Sequence, residues 1–249
     1  DYVACFSSTK ITIVGCAGGV KDTTDMVEEY FGRWEKAKVS LFEKAVEKQL
    51  KPRIKVISKK TEQTHLCLGV PAIKRTDSSR YAFSLLTIIL GGGMSSRLFH
   101  QVRERRGLAY YVRSETNKYH DVGNFVTQAG IETSKAAEAV KVIAEEYYKL
   151  ANRTEKIDRA ELTRAKEFVK GHFILEMEDS QSVAELFGGS ELLEGKIRTQ
   201  DEILKAFDKV TDEEIYAAAS KIFKPEKMNL ALIGPFEKKF ESVLLKVLG

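Results

Sequence analysis

The residues with the most chemical content lie in one run, LGGGMSSRLFHQVRERRGLAYYV, residues 90–112. Its glycines permit a sharp reversal between two helices, and Gly107 can end the second helix before an aromatic strand. Arg103 then falls in a last helical turn, with Tyr110 and Tyr111 on the strand beyond. A guanidinium and a phenol brought together across such a turn can donate hydrogen bonds to a peptide carbonyl, or to the oxyanion formed when that carbonyl is attacked. A plainer reading of the same residues stands beside this one. Arg103, Arg105 and Arg106 would compensate the negative end of a helix, and Tyr110 would pack on the core.

Other chemistries find less support. His65, His100, His120 and His172 form neither H-E-x-x-H nor H-x-x-E-H, the motifs that set two imidazoles one helical turn apart with a glutamate as base. No metal is therefore assigned to this chain. His100 with Glu104, and His172 with Glu176, have the spacing of solvated helix pairs. No serine lies in G-x-S-x-G, and Cys67 with His65, two apart, reads as one face of a strand. GGGMSSR lacks the Lys-Ser/Thr ending of a phosphate loop and follows a helix where such a loop follows a strand.

Elements must position these groups. Over 249 residues, 43% hydrophobic and 31% charged with four prolines, the composition is that of a folded protein with a real core. A net charge of +4 is too mild to require nucleic acid, although Arg103, Arg105, Arg106 and the nearby tyrosines would allow salt-sensitive binding to DNA or RNA. The apolar run near Leu85–Leu90 falls well short of a membrane span. Cys5, Cys16 and Cys67 form no C-x-x-C pair, which favours a reducing compartment and a cytoplasmic location.

KITIVG (residues 10–15) reads as a strand, and DTTDMVEEYF as a helix stopped by Gly32. The charged stretch after it reads as a linker or a surface helix. IKVIS and THLCLGV read as strands, RYAFSLLTIIL as an apolar helix, and Met94 to about Arg106 as a second helix. AYYVRSETNKY and VGNFVTQAGI then predict an antiparallel hairpin through HDVG. Helical stripes follow: Val140, Ile143, Ala144, Tyr147 and Ala151; Leu162, Ala165, Val169 and Phe173; Val183, Leu186, Phe187, Ser190 and Leu193. Thr199 with Glu202, and Thr211 with Glu214, have capping-box spacing. Ile215, Ala218, Ala219 and Ile222 predict a helix that stops before Pro225, and MNLALIG returns to a strand. The fold class expected is α/β, an α+β sandwich whose mostly antiparallel sheet is packed by helices.

KITIVG with its acidic helix parallels NLALIG with FEKKFESVLLKVL, the paired glycines Gly15 and Gly234 lying 219 positions apart. As an internal repeat this makes residues 1–32 the tail of an upstream homologous domain, 33–50 a linker and 51–249 a complete domain. It also predicts roughly 190 further residues upstream. The rival reading is that any two α/β units share a strand, a glycine and a helix.

LGGGMSSRLFHQVRERRGLAYYV, with ELTRAKEFVKGHFILEMEDS and KIFKPEKMNLALIG, resembles the C-terminal domain of the pitrilysin and insulinase metallopeptidases, of processing-peptidase type. The resemblance implies homologous α/β domains around a substrate chamber, with zinc in the first domain on H-x-x-E-H and a distant glutamate. Peptide bonds would be hydrolysed by a zinc-bound water, with a glutamate of that other half as general base. It further implies that Arg103 and Tyr110 are the catalytic donors this half contributes, and that Arg103, Tyr110 and Tyr111 bind substrate, a one-residue shift exchanging the two tyrosines. Zinc, an N-terminal zinc-bearing domain or a separate catalytic subunit, and a peptide substrate are then the expected cofactor and partners, and a dimer is compatible with the pattern. This segment alone is expected to be inactive, with no membrane or nucleic acid as partner. The competing expectation is a noncatalytic partner or scaffold subunit of the same fold.

Overall fold

The computed structural model describes residues 20–33, 43–237 and 239–248. The predicted strand KITIVG lies outside them, so the parallel with NLALIG has only its second member in view. The first helix is there, as α1 (Val20–Phe31). Of the charged stretch, residues 43–50 form neither helix nor strand. Two compact units divide the chain. One joins the described part of 1–44 to 172–200, and the other comprises 45–171 and 201–249.

The larger unit is built on five strands: β1 (Arg53–Ser58), β2 (Thr64–Ala72), β3 (Ala109–Lys118), β4 (Gly123–Ile131) and β5 (Asn229–Gly234). Their order is β1-β5-β2-β4-β3. Only β1 and β5 run parallel; the other pairings are antiparallel, and β3 with β4 is the predicted hairpin. Period-two alternation gives the sheet two unlike faces. Leu66, Leu68, Val70, Phe125, Thr127, Ala129, Val112, Leu230 and Leu232 point into the core. His65, Cys67, Tyr111, Arg113, Ala231 and Ile233 point the other way and are exposed.

Helices cover the inner face. They are α2 (Arg80–Gly91), α3 (Ala136–Ala151), α7 (Asp212–Ile222) and α8 (Phe240–Leu248), with α2 against β3 and α8 against β1. The stripes of α3 and α7 are buried almost entirely, each fully buried Val or Ile contributing about 1.5–3 kcal/mol. Tyr147 of α3 stacks on Phe223 with ring centroids 4.2 Å apart and meets Phe125 edge-on at 5.5 Å. Its hydroxyl bonds Thr127, and complete burial holds the phenol above its ordinary pKa. The capping box at Thr211 forms: its Oγ1 accepts from the Glu214 amide, and the Glu214 carboxylate accepts from the Thr211 amide at 2.9 Å.

Two expectations need adjustment. The helix expected from Met94 starts at Arg97, because residues 92–96 form bends and turns. The stripes of α4 (Arg159–Glu176) and α5 (Ser180–Glu194), which α6 (Gln200–Lys209) follows, are less buried than their spacing suggests, with only Ala165 and Ser190 buried and Leu193 exposed. An amphipathic pattern offers an apolar face; packing decides whether that face is covered.

Candidate functional site

The helix that begins at Arg97 leads into β3, and its core side is set by Leu98 and Val102, both without solvent exposure. From Phe99 to Glu104 it widens into a π-helix, in which the Arg105 amide reaches the His100 carbonyl at 2.9 Å. Such turns recur at functional sites. Gly107 ends it at φ +57°, a conformation that only glycine takes without cost. The Gly107 amide bonds the Arg103 carbonyl at 3.1 Å, and the Leu108 amide bonds that of Val102 at 2.8 Å.

Arg103 is exposed on this helix, its guanidinium 5.0 Å from the centroid of the half-buried Phe99 ring. That is cation–π distance. Arg106 is turned away, onto the carbonyl and side chain of Gln101. His100 pairs with Glu104, as their spacing suggested.

Across the reversal, β3 begins with a β-bulge. Ala109 faces Ile131 and Tyr111 faces Gly130, so Tyr110 is the extra residue. A bulge of this kind sets two successive side chains on one side of a strand. Ala109 and Val112 are buried, while Tyr110 and Tyr111 are both exposed. The two phenols are nonetheless not equivalent. Tyr111 lies over Gly130, where an added Cβ would stand 2.8 Å from Tyr111 Cδ1 and closer still to Cε1. Its hydroxyl is 3.4 Å from His65 Nδ1. Tyr110 is 64% exposed, against 39% for Tyr111. The neighbouring Lys135 ammonium is held above its usual pKa first by Glu132, 2.9 Å away, with the Tyr110 phenol within electrostatic range. Tyr111 is thus the seated ring and Tyr110 the free one. Among the described residues no hydrogen bond joins Arg103 to Tyr110.

Beside Tyr111 the open face carries a polar ladder, Arg113 donating to Gln128 and Gln128 to Glu115, both at 2.9 Å. Cys67 sits nearby, its side chain reaching the surface while the surrounding strands partly desolvate the thiol; that desolvation, and then the Glu115 charge, raise its pKa. A shallow cavity of about 370 Å³ lies on this face between Arg53, Lys55, Cys67, Val126 and Asn229. Among the described residues no group of three or more His, Cys, Asp or Glu is arranged to hold a metal ion. Zinc therefore has no fitting donor set among them.

Arg103 and both tyrosines stand out in the sequence, whereas the Phe99 and Gly130 contacts, the His65–Tyr111 contact and the bulge do not. The bulge had a signal: Ala109 and Val112, the apolar residues flanking the tyrosines, are three apart where strict alternation would need two.

Residues 4–169 match the family model described as the peptidase M16 inactive domain. The chain belongs to that family. An uncharacterized zinc protease of Streptomyces coelicolor is 38% identical over 192 residues, covering 77% of this chain and 41% of the relative. One from Bacillus subtilis is 36% identical over 237 residues, 94% of this chain and 56% of the relative. The chain thus spans about half the length of these curated relatives. In fold it is similar to the crystal structure of a peptidase M16 inactive domain from Pseudomonas fluorescens, with a TM-score of 0.78 and 23% identity over 88% of this chain and 52% of that one. It is equally similar, with a TM-score of 0.78 and 14% identity, to a chain of complex III2 from Candida albicans, covering 92% of this chain and 56% of that one.

Proposed function

We propose that the chain is the C-terminal, non-zinc portion of a zinc metalloendopeptidase and works with a zinc-bearing half that precedes it or arrives as a separate subunit. Its role is to bind an extended peptide along the edge of the sheet and to stabilise the charge that develops on the scissile carbonyl. The observation that carries this reading is the bulge, which leaves the Tyr110 phenol free just past the helix bearing the exposed Arg103. In this reading the other half holds the zinc, which when bound would activate water, and the described residues of this chain supply no ligand set for it.

In that role the Arg103 guanidinium, permanently charged, donates to the substrate carbonyl oxygen, and the Tyr110 hydroxyl supplies a second donor. Tyr111, seated over Gly130, forms part of the wall along which the peptide lies. Strand addition has two candidate edges. On β1 the outward Val56 amide is already taken by the Glu241 carboxylate at 3.0 Å, which leaves β3 as the better edge. In the assembled enzyme, Arg103→Ala or Tyr110→Phe should each lower turnover by on the order of 10²-fold with zinc content unchanged. Full turnover in both variants removes the assignment.

A noncatalytic partner subunit of the same fold is the competing reading, in keeping with the family model's description as an inactive domain. It predicts an accompanying half without H-x-x-E-H and no partner supplying that motif. Sequencing the full gene and identifying co-purifying subunits decide between the two.

A further inference from the structure

Arg97 is placed against elementary preference. It opens the helix that carries Arg103, where the positive end of the backbone dipole disfavours a cation, and it is only 8% exposed. There Glu161 of α4 meets it as a bidentate partner, accepting from Nε at 2.8 Å and from Nη2 at 2.7 Å. The Lys156 carbonyl also accepts from Nη2, at 2.9 Å. Nη1 has no hydrogen bond, and the Glu155 carboxylate stands 3.6 Å from it. Buried ion pairs add little net stability, and leaving one donor unsatisfied adds less; their best-attested use is to select one geometry.

The geometry in question is that of the helix. Leu98 and Val102 seat its inner side, the Gly107 reversal fixes its far end, and the Arg97 clamp ties its near end to α4. Six residues beyond the clamp, Arg103 leans over Phe99. We propose that Arg97, through Glu161, is a positioning residue for Arg103: the clamp sets the seating of the helix from which that guanidinium meets substrate. This rests on the reading of Arg103 as a substrate-facing donor.

The test is a double-mutant cycle in the assembled, zinc-containing enzyme, with a quenched fluorescent peptide as substrate. Arg97→Gln should lower kcat about tenfold with KM within about twofold, since misplacement by an ångström can cost up to 10²-fold, and Arg97→Lys should restore part of the loss. In an Arg103→Ala background the same Arg97→Gln change should cost less than about twofold, because its effect passes through a group already removed. Equal fold-losses in both backgrounds would overturn the proposal and leave Arg97 a structural residue. If Arg97→Gln does not fold, the cycle is run with Glu161→Gln, which keeps the arginine and loses its charged partner. Should Arg103→Ala itself leave kcat unchanged, the active-site reading fails first and the positioning role falls with it.

Discussion

Replacing Gly130 by alanine tests how the two tyrosines are told apart. An added Cβ would stand 2.8 Å from Tyr111 Cδ1, closer still to Cε1, and 3.0 Å from Gln63 Oε1, so the ring must leave its seat. Moving it off its rotamer costs about 0.5–1.5 kcal/mol, and crowding at a closed contact adds about 1 kcal/mol or more. Alanine in a strand recovers roughly 0.5–1 kcal/mol of backbone entropy relative to glycine. The net expectation is a destabilisation of about 1–2 kcal/mol, which at a urea m-value of about 2–3 kcal/mol/M lowers the midpoint by about 0.5 M. The assay is urea unfolding of the chain followed by circular dichroism, in the original and in a Tyr111→Ala background. Without the ring the penalty disappears, and Gly130→Ala becomes neutral or stabilising by up to about 1 kcal/mol. An equal penalty in both backgrounds would refute the seating of Tyr111 on Gly130.

Other predictions concern the frame around the site. Thr211→Ala removes one half of a formed capping box and should lower stability by about 1 kcal/mol, read as a shift in the urea midpoint. Asp179 caps α5, and its carboxyl is held below its ordinary pKa, first by the Ser182 amide at 2.8 Å and then by the Ser182 hydroxyl. A carboxyl with a depressed folded-state pKa contributes stability that is fully present above the unfolded value, about 3.9, and is lost as pH falls through the folded one. NMR titration should therefore place Asp179 below the usual aspartate midpoint, and a normal midpoint would contradict the cap. The raised thiol pKa of Cys67 predicts slow alkylation by iodoacetamide at pH 7–8, measured on its own peptide by mass spectrometry; reaction as fast as free cysteine would count against the partial desolvation and the Glu115 effect.

Much of the frame was legible because its signals are local. The stripe of Ile215, Ala218, Ala219 and Ile222, the Thr211–Glu214 spacing and the HDVG connection each specify their element within a dozen residues, and each formed. The stripes of Leu162 to Phe173 and Val183 to Leu193 specified helices but not their burial, since cover depends on residues distant in the chain.

At the site the division is sharper. Residue chemistry and spacing alone determined that Arg103 and a tyrosine follow each other across a glycine reversal, because helix, αL glycine and strand are consequences of a few adjacent residues. They also determined that no paired-histidine zinc motif lies in this chain. Which tyrosine is free, and why a cation opens the helix before it, were decided only in three dimensions. Each depends on a partner far along the sequence: Gly130 under Tyr111, His65 beside it, Glu161 against Arg97. A period-two or period-3.6 pattern shows which way a side chain points, but the identity of what it meets belongs to the tertiary fold.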